Sequence, residues 1–232
     1  MRRWCSAIAL SLTALAASAI AAPPLPPARV AIDYDILYNG GPLATARHVL
    51  EHDSKTYRLT ETWQGSGLLA LLGEILRTSE GRITPQGLRP LLYKDKRPRR
   101  EPASARFDWD AGKLIQEFRG PPRTEPIPPH AQDRLSFLFA PAFHPPEKGP
   151  LEYNVVDGKG TSHYVFDVVG RERLRVPAGE FDALRLRKRD DDGTTTDFWV
   201  DAGHSYLPLR IHIVEKDGKS LDQVAARIGP PK

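Results

Sequence analysis

Seven histidines are scattered along the chain, at positions 48, 52, 130, 144, 163, 204 and 212, and only His48 and His52 are neighbours in sequence. On an extended strand they share a face, while the nearby acids Glu51 and Asp53 fall on the other. A zinc site needs more ligands than this pair supplies, so both histidines are expected to be solvent-facing strand residues. Asp33 and Asp35 also share a strand face and could act as paired carboxylates, but an exposed polar face accounts for them equally well. Asp190-Asp191-Asp192 precedes Gly193. That stretch offers oxygens to calcium without the ligand spacing of an EF-hand, and it is read as a solvated hairpin tip. The chain contains no Gly-x-Ser-x-Gly elbow, no His-Glu-x-x-His and no phosphate-cradling glycine loop. No enzyme, cofactor or metal is expected. A hydrolase, as a third option, would need His, Asp and Ser residues distant in sequence to converge in a cleft.

Two basic features could recognise an anion. Arg171, Arg173 and Arg175 share parity on one strand, as do Arg185, Arg187 and Arg189 on the next. Arg173, Arg175, Arg185 and Arg187 therefore form a candidate surface for an anionic partner. The second feature is "YKDKRPRRE", residues 93–101, which could meet anionic lipid headgroups or an acidic protein. Against the stripe, Thr195, Asp197 and Asp201 on the following strand are placed to pair with it. The net charge of +4 includes Arg2 and Arg3 of the N-terminal segment. Without them the chain is nearly neutral, and no nucleic-acid partner is expected.

These residues must be positioned by an exported, mostly β chain. Arg2 and Arg3 precede an apolar run from Ala7 to Ala17, and Ala19-Ile20-Ala21 supplies small residues at a cleavage position. This predicts a signal peptide over residues 1–21, cleaved after Ala21, and a periplasmic location. The run is too short to span a bilayer. A single β domain is expected over residues 22–232. The only Cys, Cys5, and the only Met fall in the signal segment, leaving no disulfide to stabilise the fold.

Period-2 alternation predicts strands at about 30–38, 43–50, 57–63, 88–93, 103–109 and 113–118. Further strands follow at 151–156, 161–169, 172–176, 181–187, 194–201, 207–214 and 220–228. Turn dipeptides such as Asn39-Gly40, Asp157-Gly158, Asp192-Gly193 and Asp217-Gly218 separate them. Such regular short strands imply an antiparallel sheet that curls or closes. Between them, Ser66 followed by Leu68, Leu69, Leu71, Leu72, Ile75 and Leu76 predicts a three-turn helix capped by Ser66.

A second helix is predicted in "AQDRLSFLFAPAF", residues 131–143. Leu135, Leu138, Phe139 and Ala142 lie on one face and Phe137 on another. Asp133 favours its start, and Pro141 is expected to stop it. At about ten residues, roughly 15 Å, it is too short for a membrane and must pack on protein or on a ligand within protein. Two roles follow: a plug filling the open side of a curved sheet, or a lid over an apolar cavity. Trp63, Leu68, Leu72, Phe107, Trp109, Leu135, Leu138 and Phe139 are the candidate cavity wall.

The ordered motifs "YDILYNGGPLATARHVLE", "GLLALLGEILRTSEGRITPQGLRPLLY", "FDWDAGK", "AQDRLSFLFA", "VPAGEFDALRL" and "FWVDAGHSYLPLRI" resemble a family of exported Gram-negative proteins, domain of unknown function 3108. More distantly, the chain is similar to half-barrel periplasmic lipoprotein carriers of the LolA and LolB type, although it has no lipidation cysteine after the signal. The resemblance implies a half-barrel whose curved sheet wraps helices over an apolar cavity, and it transfers no catalytic residues. The expected architecture is a mainly β, open half-barrel with two short apolar helices packed into its concave side. The expected function is non-enzymatic binding of a lipid, acyl chain or other apolar envelope component. The alternative is an envelope interaction protein with a filled core and a protein partner.

Overall fold

The structure, a computed structural model, describes residues 25–146 and 149–231. The signal segment expected at residues 1–21 lies outside the described residues. The first half of the chain is a meander of β1 (Arg29–Tyr38), β2 (Gly41–His52), β3 (Thr56–Gly65), β4 (Ile75–Thr84), β5 (Gly87–Lys96), β6 (Ala103–Asp108), β7 (Lys113–Glu117) and β8 (Arg123–Pro126). After β9 (Ala131–Asp133) and helix α1 (Ser136–Phe143) come β10 (Leu151–Val156), β11 (Thr161–Val176), β12 (Gly179–Arg189), β13 (Thr195–Asp201), β14 (Pro208–Val214) and β15 (Ser220–Gly229). All fifteen strands form one sheet in the order β8 to β1, then β15 to β9. Its two halves meet where β1 pairs antiparallel with β15, from Ala31↔Gly229 to Tyr38↔Leu221. At the far edge β9 runs parallel to β10.

This is the curved, open, mainly antiparallel sheet that the alternation predicts. Alternation also sets the core, because one parity of each strand faces the concave side. Ile32, Tyr34, Ile36, Leu50, Leu59, Tyr93, Leu114, Leu186 and Phe198 are all buried there in one cluster with Leu135, Leu138 and Phe139 of the plug segment. The ladder does not close into a barrel. Instead, side chains of β9 reach across the gap: Gln132 Nε2 donates to the Leu88 carbonyl at 2.8 Å, and Ser79 of β4 donates to Asp133.

Local differences from the sequence reading have physical causes. The predicted helix over 66–76 is only a six-residue 3-10 turn, Gly67–Leu72, and Ile75 and Leu76 open β4 instead. Gly67 opens the turn and Gly73 follows it, with positive φ of 57° and 89°, conformations that interrupt a helix. No residue of the turn is buried, so one helix, not two, packs into the concave side. Pro141 does not stop α1, which runs on to Phe143. The missing proline N–H removes one bond within the helix, but His144 N–H still donates to the Ala140 carbonyl at 2.9 Å and the last turn is buried. The two strands expected at 161–169 and 172–176 are one strand, β11, bent at a bulge between Val168 and Gly170. The short edge strands β8 and β9 lie in proline-rich sequence, where alternation gives no signal.

Candidate functional site

Helix α1 enters the concave side beside the strand ends that carry the β3–β4, β5–β6 and β12–β13 connections. Its start is fixed by Asp133, whose Oδ1 accepts the backbone N–H groups of Leu135 at 2.8 Å and Ser136 at 2.9 Å. Ser136 Oγ in turn accepts the Asp133 N–H at 2.8 Å. With the helix held in this way, Leu135 and Phe139 point into the sealed core, 2% and 1% exposed. They act as a plug. Phe137 points the other way, edge-on to Tyr164 at 5.7 Å between ring centroids.

Between Phe137, Leu138 and the sheet lies a cavity of about 340 Å³, within the roughly 300–1,000 Å³ of small-molecule pockets. Its apolar wall comes from Trp63 of β3, Tyr164 and Phe166 of β11, Phe198 of β13, Ile211 and Ile213 of β14, and Leu221 of β15. These residues share the inward parity of their strands. The helix thus fills the core with Leu135 and Phe139 and walls a pocket with Phe137 and Leu138.

A ring of polar groups borders the same cavity. Glu61, Arg77, Arg134, Lys188, Asp190 and Gln223 line it. Glu61 is buried and doubly held, by His48 Nε2 at 2.9 Å and by Arg77. Burial would raise its pKa, but the hydrogen bond and charge of His48 and the charge of Arg77 hold the carboxyl well below the usual carboxylate range. Arg77 also lies 3.4 Å from Asp95, and Arg97 clamps that carboxylate from the other side at 2.7 Å. Lys188 pairs with Asp190 and sits 4.7 Å over the Tyr164 ring. The buried Gln223 Nε2 has no hydrogen-bond partner among the described residues.

A second buried cluster lies deeper. The Tyr57 hydroxyl meets Ser79 Oγ at 3.1 Å, and Ser79 donates onward to Asp133. Ser79 Oγ has one hydrogen, so Tyr57 is the donor in the first of these bonds. Burial pushes Asp133 up to about 6, against the hydrogen bonds from Ser79, Ser136 and Leu135 that favour its charged form. Ser79 and Asp133 are both sealed from solvent, at 0% exposure. The hydroxyl is therefore a structural tie rather than an accessible nucleophile.

The predicted wall residues divide into four pairs. Trp63 and Leu138 line the cavity, and Leu135 and Phe139 belong to the core beside it. Phe107 is core as well, stacked on Trp109 at 6.0 Å, and the pair borders a separate groove with Arg82, Arg89 and Arg106. Leu68 and Leu72 are not wall residues at all, being 85% and 53% exposed. His48 does not face solvent, being 1% exposed. It is buried, because its strand parity faces the core and Glu61 supplies the acceptor its ring requires. His52 is half-buried, its Nε2 3.0 Å from the Pro26 carbonyl.

The arginine stripe is largely neutralised within the sheet. Arg185 and Arg187 both clamp Asp197 with two hydrogen bonds each. Arg173 and Arg175 share Glu180, and Arg171 pairs with Asp182. The pairing expected of Asp197 is observed, and each of these five arginines has an acidic partner within the sheet. Missing from the sequence reading were Phe137, Tyr164, Phe166, Phe198, Ile211, Ile213 and Leu221. For all but Phe137, a helix residue, the available signal was an apolar side chain on one parity of its strand, without an indication of which parity faces inward.

The chain is similar to several solved structures. The beta-barrel-like protein of domain of unknown function DUF1849 from Brucella abortus superposes with a TM-score of 0.59 at 9% identity, covering 90% of this chain and 100% of that one. That likeness shows the fold. A provisionally assigned lipoprotein from Parabacteroides distasonis gives a TM-score of 0.41 at 8% identity, over 87% of this chain and 95% of its own. A provisionally assigned outer membrane lipoprotein-sorting protein domain from Vibrio parahaemolyticus gives 0.27 at 9% identity, over 88% and 86%. No curated protein matches the chain. The profile described as Protein of unknown function (DUF3108) matches residues 33–224, from β1 into β15, and the chain belongs to that family.

Proposed function

We propose that this is a non-enzymatic binding protein of the cell envelope that holds a lipid or other apolar envelope component in the half-barrel cavity. The observation that carries the reading is the cavity beside α1, walled by Trp63, Phe137, Tyr164, Phe166 and Phe198 and bordered by a few charged groups. An apolar chain entering it removes its own surface and that of the aromatic wall from water, at roughly 25 cal/mol per Å². The polar border suits a ligand with one polar end. A structural protein with a solid interior would place side chains where this space lies.

The test is to purify the protein without detergent, extract it with organic solvent and analyse the extract by mass spectrometry. Binding of an apolar fluorescent dye is measured in parallel. A stoichiometric co-purified amphiphile, or saturable dye binding, is the expected result. The absence of both a co-purified lipid and dye binding would overturn the reading.

A further inference from the structure

The β3–β4 turn poses a problem that the cavity does not solve. Leu68, Leu69, Leu71 and Leu72 are 85%, 41%, 79% and 53% exposed, four of the nine exposed large hydrophobic side chains among the described residues, gathered in one six-residue turn. Exposed apolar residues scattered singly need no explanation, whereas a cluster marks an interaction site. The turn is also built rather than loose. Ser66 N–H donates to the Leu43 carbonyl at 2.9 Å. A Cβ on Gly65 would lie 2.6 Å from the Leu69 carbonyl oxygen, so the turn folds flat onto the end of β3.

Its neighbour supplies the chemistry of the partner. A Cβ on Gly73 would lie 2.9 Å from Pro98 Cγ, which places the leucine turn directly against the β5–β6 loop. That loop and its strand end carry Lys94, Lys96, Arg97, Arg99 and Arg100 against Asp95 and Glu101, and Glu74 follows the leucine turn itself. Asp95 is already paired with Arg97 and Arg77, while Arg99 and Arg100 are exposed. An apolar tip rimmed by cations is the pattern of an interfacial membrane anchor, in which apolar side chains enter the headgroup boundary and cations meet anionic lipid. The position fits as well. Trp63 of the cavity wall lies two residues before Gly65 and pairs in register with Ile75, so turn and pocket share one end of the half-barrel. The acidic tip Asp190–Asp192 stands at the same end, on the flank of the pocket formed by β12 and β13.

We propose that the leucine turn and the adjoining basic loop form a docking surface for an anionic lipid bilayer, bringing the cavity to the membrane surface. This extends the lipid-binding reading but rests on a different observation. Each buried leucine is expected to contribute about tenfold or more to partitioning, and each cation near the surface roughly fivefold.

The test is co-sedimentation of the full chain with phosphatidylcholine vesicles, with and without phosphatidylglycerol. The proteins are wild type, a Leu68→Asp, Leu71→Asp variant and an Arg99→Glu, Arg100→Glu variant. Thermal melting serves as the fold control and dye binding as the separate readout of the cavity. The expected result is salt-sensitive binding to the anionic vesicles, reduced at least about tenfold in both variants with melting unchanged. Failure of folded wild type to bind anionic vesicles would overturn the proposal, whatever the dye does. So would a concentration-dependent dimer, seen by sedimentation velocity, that the leucine variant abolishes, because a second copy would then be the occupant. Vesicle binding without dye binding would keep the docking surface and overturn only the cavity reading.

Discussion

Ser79 and Asp133 are 54 residues apart in sequence, yet the Ser79 hydroxyl donates to Asp133 Oδ2 in a fully buried site that ties the middle of β4 to the start of α1. Asp133 thereby holds the helix that walls the cavity, and burial raises its pKa to about 6. A carboxyl raised in the folded state contributes stability that is fully present below its unfolded pKa and is lost as pH rises through the folded value. Between about pH 4 and pH 6 the chain should lose on the order of 2–3 kcal/mol through this group. Asp133→Asn keeps an acceptor for the Leu135 and Ser136 N–H groups and cannot ionise, so it should flatten that loss. Urea unfolding at a series of pH values compares the two proteins. Equal slopes between pH 4 and pH 6 would remove Asp133 as the cause.

Glu61 carries the opposite sign. Its folded pKa lies below the usual range, so its contribution is present above the unfolded pKa and disappears as pH falls below about 4. Replacing it with Gln leaves Arg77 with only Asp95 and removes the charged acceptor of His48. Breaking a buried ion pair from one side costs about 3–5 kcal/mol. Glu61→Gln should therefore destabilise by that order at neutral pH and lose less stability than wild type on acidification. Denaturant midpoints at pH 7 and pH 3 check both halves, and a variant as stable as wild type at pH 7 would refute the assignment.

Most of the fold could be read from alternation and turn chemistry, because a sheet with one buried face imprints period 2 on every strand. Asn39-Gly40, with φ of 49° and 78°, forms the hairpin turn those residue types favour. What alternation could not give was which parity faces inward. Tyr164 with Phe166 and Ile211 with Ile213 become a cavity wall only once the sheet curls. The leucine run 68–76 keeps helical spacing, which records which residues would share a face, whereas Gly67 and Gly73 limit it to one 3-10 turn. His48 was misread for a related reason. Its acceptor, Glu61, is 13 residues away on the next strand, a distance that no local pattern spans.

Filling the cavity tests whether its volume has a use. Leu221 lies half-buried in the wall, so Leu221→Trp extends an apolar ring into existing space rather than into packed core. The stability cost should stay within about 1.5 kcal/mol, as for tolerated core swaps. Apolar-dye affinity should fall by roughly tenfold or more, the equivalent of about 1.4 kcal/mol. Titration of dye against both proteins reads this directly. Undiminished affinity would place the dye elsewhere.

Asp197 decides whether the arginine stripe has any freedom to bind. Burial pulls its pKa up, but the hydrogen bonds of Arg187 and Arg185, and then their charges, bring it down to about 2. One carboxylate thus serves two guanidinium groups, and the Arg185 guanidinium lies 5.1 Å over the Trp199 ring as well. Removing the charge with Asp197→Asn should have two effects. Stability at neutral pH falls, on the order of 1–3 kcal/mol for hydrogen bonds to a charged group, and the difference shrinks as pH falls below about 4 and is gone near 2, where wild type protonates too. Affinity for a polyanion such as heparin rises, because two cations lose their internal partner while the rest of the face keeps its pairs. Heparin retention and denaturant midpoints measure the two effects independently. If the variant is retained no longer than wild type, Arg185 and Arg187 are held by more than Asp197, and the stripe is a packing feature even without its acid.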